Sequence, residues 1–558
     1  MRDLLLKAVK GAYGLLPEKS KNRMRGYHNL RQWYGNKLRQ SSIAYEVPSL
    51  RKTRQLHQLH LLGQAARVEK ALPIKQTINV LIIGEKGFAK TAASLCRLKT
   101  NVNSVYVDHS KCREGLNTAL PVKPRSAIVM GIYPLLVLKA GVEVYEDILP
   151  IDRKSPESDV TYFDAFTVDE KNKLQTYEFL PDWNPDLLLS TGYVKSAVML
   201  KPDSRLNPFF SDSNNIESAL ADAYLAGVDF SIDHLPLSFT QSRAIKPDLD
   251  SLKKIINKHH LQTENLTGNV LSVQWPLLSK PLVSLVIPTY NGKELVKACI
   301  DSILEKTTYQ NYEILLVDNN SDETASLEFF EQLNQHPRIR VLKYPYPFNY
   351  SAINNFAVKQ AKGEVVGLVN NDIEVISDHW LEYMAAHAMR DDIGCVGAKL
   401  LYSDGRIQHA GVVLGYGGGA GHAHKYFPRY HPGYMNRLLA TQNYSAVTAA
   451  CLFVKKSKYE EVDGLNEKDL HVAFNDVDFC LRVAQSGVRN LYCAEAELFH
   501  HESVSRGLDI TPEKAARFNK ELNYLKTTWG QYIDHDPAYN PNLTLKRENF
   551  AIKAKEEY

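Results

Sequence analysis

The sequence predicts an α/β fold in two successive parts. Apolar β-type runs at Ile78 to Gly84 (INVLIIG) and at Leu282 to Pro288 (LVSLVIP) each lead into a polar turn and then a helical pattern, dividing the chain near its middle. After Pro288, strand-like runs recur about every 26 to 30 residues with helical patterns between them, which specifies βαβ units and a mainly parallel, right-handed, doubly covered sheet. Composition agrees. Of 558 residues 44% are hydrophobic and 23% charged, near the averages of folded globular chains, which argues against a polytopic membrane protein, a fibrous repeat or wholesale disorder.

Residues 1–75 read as a basic, partly helical arm. Residues 1–54 hold thirteen Lys/Arg against three acids, about +10, so the remainder is acidic although the whole chain carries only +4. Leu5, Val9, Ala12 and Leu16 fall at helical spacing beside Lys7 and Lys10, and Trp33 and Tyr34 lie among Arg31, Lys37 and Arg39. That combination suits an anionic membrane surface; a solvated basic helix packed on its own domain is the equal alternative. Nucleic acid is not an expected partner, because no binding module accompanies the charge. Residues 76–245 read as a first α/β domain. Residues 246–280 read as a linker that begins helical and closes on Lys280-Pro281. Residues 281–510 read as the main domain, and residues 511–558 as a helix and tail, with Thr511 as N-cap and Pro512 in the first turn. No run of about 18 apolar residues and no secretory leader is apparent, so the expected address is cytoplasmic. Seven dilute cysteines without CxxC pairs are expected as reduced thiols.

Within the main domain, strands are expected at 282–287, 313–317, 339–343 and 364–369, with helices at 293–306, 323–335 and 351–362. Ligands of such sheets bind at the C-terminal strand ends. Those ends carry Thr289, Tyr290 and Asn291, then Asp318 to Ser321, then Asn370, Asn371 and Asp372. The first crossover, PTYNGK, has no G-x-G-x-x-G, and no P-loop is present, so neither a dinucleotide nor a P-loop nucleotide is expected. An acid at Asp318 can accept from a base imide or a ribose hydroxyl, and one at Asp372 can hold a hard divalent cation bridging two phosphates. Each acid alone also reads as a strand-end turn residue.

The ordered motifs PLVSLVIPTYNG, YEILLVDNNSDE, LVNNDIEV, AVTAACLFVKK, HVAFNDVDFCLRVAQSG and LFHHESVSRG resemble bacterial family 2 glycosyltransferases, above all the rhamnosyltransferase-like type of O-antigen and capsule assembly. The likeness covers about residues 281 to 510 and extends into the tail DPAYNPNLT. It implies a GT-A-type nucleotide-diphospho-sugar transferase fold, a Rossmann-like mixed sheet, an inverting reaction and Mg2+ or Mn2+. Carried over by position, Pro288, Thr289, Asn291 and Asp318 contact the nucleoside. Asn370-Asn371-Asp372 stands where the D-x-D motif belongs, so Asn370 and Asn371 face the donor and Asp372 ligates the metal. Asn370 departs from the pattern, leaving one carboxylate that the donor diphosphate must supplement.

The resemblance also makes His500, rather than His501, a metal ligand and Asp476 of the pair Asn475-Asp476 the catalytic base. The alternative for Asp476 is a helix-start acid favoured by the helix dipole. Arg506 would meet donor phosphates, since arginine binds oxyanions bidentately, with plain surface placement as the alternative. The glycine-rich segment Gly415 to Tyr434 reads as a mobile lid stacking on an acceptor sugar or as a plain loop, and His409 as an acceptor-orienting or structural residue.

Residues 159–194 resemble the first domain of tandem family 2 enzymes, but no D-x-D lies upstream and IESALADAYLAGVDF offers no clear acid pair. A degenerate transferase-like domain is expected there; the alternative is a nucleotide-binding unit at IIGEKGFAKTAA with Asp108 as its ribose acid. The expected function is an inverting, metal-dependent transfer of a sugar, rhamnose being the one the resemblance suggests, from a dTDP- or UDP-linked donor. The acceptor is a lipid-linked glycan at the inner face of the plasma membrane. The alternative is a non-catalytic sugar-nucleotide or glycan-binding scaffold.

Overall fold

A computed structural model describes residues 45, 47–70, 77–108, 120–128, 131–149, 158–243, 245–266, 269–501 and 511–557. The basic arm up to residue 44, and with it the membrane-surface reading, lies outside the described residues, as does Arg506. Among the described residues no helix is long and apolar enough to cross a membrane.

The second half is built on a sheet whose main path runs Ile339–Lys343, Tyr312–Asp318, Val283–Thr289, Val365–Val369, Cys451–Lys455, Ile393–Leu401, Arg489–His500, Ile373–Val375. The first four strands are parallel. They are near-continuous Val, Ile and Leu runs because both faces are covered by helices such as Lys293–Lys306 and Tyr350–Val358, and Tyr312–Asp318 and Val365–Val369 are buried throughout. The expectation of a mainly parallel sheet holds only to this point. Val365–Val369 pairs antiparallel with Cys451–Lys455, which pairs antiparallel with Ile393–Leu401, so the sheet is mixed. The reversal turns the last strands back, and it brings His500 beside Ile373, the residue after Asp372.

The first half repeats this plan. Its path is Val122–Pro124, Asn101–Val107, Thr77–Ile83, Leu135–Lys139, Ala197–Leu200, Val160–Val168, Ile232–Ser242, Val142–Val144, with the same parallel and antiparallel directions at every step. Residues 246–280, expected as a linker, are structured. Leu249–Lys258 is a helix, and Gln262–Leu266 pairs with Val270–Gln274 as a hairpin. Leu252, Ile256, Leu261, Val270 and Leu271 are buried in the first half's core, which is why the segment folds onto it. The helix Leu50–Lys70 also packs there, through Gln64 to Ser238 and Arg54 to Asp169.

Charged side chains join the halves. Asp186 accepts from Arg390 at 2.6 Å and from Arg489 at 2.7 Å, the Arg390 guanidinium lies 3.8 Å from the Trp275 ring centroid, and Tyr224 donates to Asp392 at 2.9 Å. Burial alone would raise the Asp186 carboxyl; the two guanidiniums override it and hold the carboxyl far below its usual range. The tail adds a second join: Asn540 donates to Asp164 at 3.0 Å, and Asp164 also pairs with His234 at 2.9 Å.

Candidate functional site

A cleft of about 780 Å³ opens at the C-terminal ends of the second sheet's parallel strands. Its floor follows from strand register, which sets Thr289 at the end of the first strand opposite Asp318 at the end of the second. The cleft gathers Pro288, Thr289, Asn370, Asn371, Asp372, Asp476 and His500. Seven of the ten site residues expected from the sequence thus face one space.

Two do not. Asn291 adopts a left-handed backbone (φ 51), which asparagine tolerates, and its side chain is spent on the neighbouring turn. Its carbonyl oxygen accepts from the N–H groups of Asp322 and Glu323 at 2.9 and 3.1 Å, and its amide donates to Asp322 at 2.7 Å. Asp318 is buried and its carboxylate accepts from the Ser321 N–H at 3.0 Å. Their neighbours Tyr290, Asn319 and Asn320 line the cleft instead. Asn291 and Asp318 therefore shape the loops that present those residues. The tenth, Arg506, is outside the described residues.

On the opposite wall, Asn371 donates to the Thr289 hydroxyl at 3.0 Å, tying two strand ends together. Asp372 Oδ1 stands 3.1 Å from His500 Nε2. The other ring nitrogen of His500 lies 2.6 Å from Gln408 Oε1, so Nδ1 carries the proton and Nε2 presents a lone pair, which the Asn370 amide approaches at 3.1 Å. Asp372 Oδ1 is buried and receives no hydrogen-bond donor. A buried carboxylate oxygen and an imidazole lone pair turned towards each other fit a divalent cation. Among the described residues no three His, Cys, Asp or Glu side chains form a complete metal cage, so further ligands would have to come from a bound substrate and water. His501 turns elsewhere, onto Glu374 at 3.2 Å and Ser403 at 2.8 Å.

Asp476 sits in the first turn of the helix Asn475–Ala484, which Phe474 enters with a left-handed φ of 59. Its carboxylate accepts from the N–H groups of Ala449 at 3.1 Å and Val477 at 2.9 Å. Burial nevertheless raises its carboxyl above the ordinary value, against the pull of those donors and the Thr448 hydroxyl. Asp478, two residues on, is purely structural: fully buried, it accepts from Trp529 at 2.9 Å and pairs with Arg482 at 2.8 Å.

Sequence reasoning missed several residues of this site. Gln408 was overlooked in favour of His409, yet in the strand Ile407–His409 adjacent side chains point to opposite faces, and Gln408 is the one facing the cleft. His409 is fully buried, 3.0 Å from His422, and burial together with the nearby His500 lowers it to about 3. Glu521, on the helix Pro512–Asp534, accepts from the N–H groups of His471, Val472 and Ala473 at 3.0, 3.1 and 2.9 Å and so holds the loop leading to Asp476. The segment Gly415 to Tyr434 is no free lid: Tyr416, Ala423 and Phe427 are buried in one core with Tyr177, Phe179 and Phe550, and the buried His424 stacks on Phe550.

The repeated sheet allows the same positions to be found in the first half. His500 pairs with Ile373 as Ser242 pairs with Val142, so Ser242 stands for His500, Gly141 for Asp372 and Lys139 for Asn370. The helix Ile216–Leu225 precedes its strand as Asn475–Ala484 does, and Glu217 holds the second position, as Asp476 does. Glu217 is fully buried and pairs with Lys139 at 3.2 Å. Where a cleft would open, a Cβ on Gly87 would stand 2.6 Å from Gly141 Cα.

Residues 284–462 match the family described as Glycosyl transferase family 2. The mixed sheet with its cleft at the parallel strand ends is the GT-A type. The chain is 42% identical over 425 residues to an uncharacterized protein of Sinorhizobium fredii, a match covering 72% of this chain and 46% of that one. It is 32% identical over 428 residues to an O-antigen biosynthesis protein of Myxococcus xanthus, covering 72% of this chain and 33% of that one. The matched part thus spans less than half the length of either relative. A mannosyltransferase from Pyrobaculum calidifontis, solved with GDP-Man and Mn2+, is similar at a TM-score of 0.33 and 16% identity over 44% of this chain and 65% of that one.

Proposed function

We propose that this protein is an inverting glycosyltransferase of surface-polysaccharide assembly, moving a sugar from a nucleoside diphosphate donor to a lipid-linked or growing glycan. One observation carries the reading: beside the family 2 match over residues 284–462, which includes Asp372, the chain brings Asp476 and His500 to the same cleft at the strand ends. Thr289, Tyr290, Asn319 and Asn320 form the wall suited to the nucleoside. Asp372 and His500 would hold Mg2+ or Mn2+ together with the donor phosphates; when bound, the cation supplies Lewis-acid stabilisation of the diphosphate leaving group. Asp476 takes the proton of the acceptor hydroxyl as that oxygen bonds to the anomeric carbon and the bond from that carbon to the diphosphate breaks. The displacement is in line, so the configuration inverts. A carboxyl raised by burial is a stronger base than an exposed one, and such help is typically worth about a hundred- to ten-thousand-fold.

The first half, in this reading, is a second transferase-like unit without chemistry of its own. The positions of the metal pair carry Gly141 and Ser242, and the carboxylate at the base position, Glu217, is neutralised by Lys139. Rhamnose as the sugar and dTDP or UDP as the carrier remain part of the proposal through resemblance to rhamnosyltransferases, and a role for the basic arm at the membrane through its charge and helical spacing, with a solvated basic helix as the equal alternative. The relative from Myxococcus xanthus, an O-antigen biosynthesis protein, favours the polysaccharide setting.

The test is nucleoside diphosphate release from a panel of dTDP-, UDP- and GDP-sugars, with Mg2+ or Mn2+ and a membrane lipid-glycan extract, comparing wild type with Asp476→Asn. Turnover of one donor that needs metal and acceptor and is lost in the variant is the expected result. Binding of a donor without turnover by the wild type in any extract would instead favour a sugar-nucleotide-binding scaffold.

A further inference from the structure

The described residues of the cleft leave a charge problem; Arg506, expected to meet the donor phosphates, lies outside them. The described lining includes two carboxylates, Asp372 and Asp476, and a nucleoside diphosphate brings at least two more negative charges. With Asn370 in place of an acid, a divalent cation on Asp372 retains one net positive charge, which leaves part of a diphosphate uncompensated in a low-dielectric cleft.

Only one lysine or arginine is among the described lining residues: Lys425. It follows the short strand Ala420–His422, and its ammonium lies 5.5 Å from the centroid of the Tyr426 ring. Tyr426 is itself fixed, stacked on Tyr402 with ring planes at 9° and centroids 5.3 Å apart. Among the described residues no carboxylate lies within ion-pair distance of Lys425, although its charge is felt by Glu548. Nor do the imidazoles on this wall add charge. His422, which also lines the cleft, is held neutral by burial, with His409 and Lys425 lowering it further, and His409 behind it is neutral as well. His409 adjoins Gln408, the residue that orients His500, so Lys425 stands on the metal-pair side of the cleft.

We propose that Lys425 binds the diphosphate of the donor, supplying the positive charge that the metal pair lacks. This deepens the transferase reading and rests on it. An ammonium without a described carboxylate partner keeps its charge for the ligand, and a phosphate oxygen meeting it forms a charge-assisted hydrogen bond. The same chemistry could come from the diphosphate of a lipid-linked acceptor, so the test separates the two.

Binding of UDP, dTDP and GDP in the presence of Mg2+, and of the corresponding nucleosides, is measured by calorimetry for wild type, Lys425→Met and Lys425→Arg. The expected result is a loss of about tenfold or more in affinity for the diphosphate in Lys425→Met, recovered to within about threefold in Lys425→Arg, with nucleoside binding unchanged. Wild-type affinity should also fall more steeply with added KCl than that of Lys425→Met. Unchanged diphosphate binding in Lys425→Met overturns the proposal, including when the variant only raises the KM for a lipid-linked acceptor. Equal loss of nucleoside and diphosphate overturns it too. If wild type binds none of the diphosphates, the transferase reading falls and takes this inference with it; if wild type binds and Lys425→Met binds alike, only this inference falls.

Discussion

His500 Nε2 faces Asp372 Oδ1 at 3.1 Å while Gln408 holds the opposite nitrogen of the same ring at 2.6 Å. The pair comes from segments 128 residues apart, and only the antiparallel strand Ile373–Val375 beside Arg489–His500 brings them together. Gln408 decides which nitrogen has the proton, and therefore which can ligate.

Gln408→Leu should leave the cleft's shape nearly intact but free the His500 ring to change tautomer. The expected outcome is a ten- to hundredfold higher requirement for Mg2+ or Mn2+, measured as the metal concentration for half-maximal donor turnover, with turnover largely restored at saturating metal. His500→Ala should raise the requirement further. A metal titration indistinguishable from wild type in both variants would remove His500 from the metal site.

Asp476→Asn should lower turnover by about a hundred- to ten-thousand-fold while donor binding persists. The variant should melt somewhat earlier than wild type, because its amide NH2 cannot accept one of the two backbone N–H groups, of Ala449 and Val477, that the carboxylate takes. In wild type the base must be deprotonated, so kcat/KM should fall with decreasing pH through a pKa above that of an ordinary aspartate. A pH profile flat down to the ordinary carboxylate range would assign the base elsewhere.

Glu217→Gln tests the reading of the first half. Turnover per folded molecule should be unchanged, whereas stability should fall by about 1 to 2 kcal/mol, since the buried Glu217 side chain loses its charge-assisted contact with Lys139, whose partly exposed ammonium keeps the Lys246 carbonyl. Denaturant titration reports the loss. Reduced turnover in a fully folded Glu217→Gln protein would give this half a part in the chemistry.

His234 sits between Asp164 and Asp182, at 2.9 and 3.1 Å, with the tail residue Asn540 on the same Asp164. Burial alone would lower its pKa, but the two carboxylates raise it to about 9. A raised histidine stabilises the fold fully below its unfolded pKa near 6.5, and the contribution disappears as pH rises through about 9. The unfolding free energy of wild type, from denaturant titration, should therefore drop between pH 7 and 10 more than that of His234→Gln, the difference reaching at most about 3 kcal/mol. Parallel pH profiles would show that the histidine is neutral in the folded protein.

The parallel half of the second sheet was legible because its strands are unbroken apolar runs. The helix Lys293–Lys306 was expected at the same bounds, and Thr511 does cap the C-terminal helix, accepting from the Lys514 N–H. The antiparallel strands were not legible: Cys451–Lys455 and Ile393–Leu401 look like any buried apolar run, and direction leaves no mark on composition. Whether Asn291 and Asp318 line the cleft was not legible for a related reason. A polar residue at a strand end can face the ligand or grip its own loop, and only the hydrogen bonds of the Ser321 to Glu323 turn decide.

The sequence by itself determined the α/β class, the two-part layout and the chemical types available at the strand ends, since these follow from periodicity and from which side chains can carry charge. Tertiary structure alone decided which of those side chains meet. It paired Asp372 with His500, turned His501 away, placed Lys425 on the cleft wall, and revealed that Glu217 and Lys139 close on each other where Asp476 stands open. The physical reason is that a site is made of contacts between distant segments, and these are set by strand order, direction and register, which depend on how whole faces bury against one another.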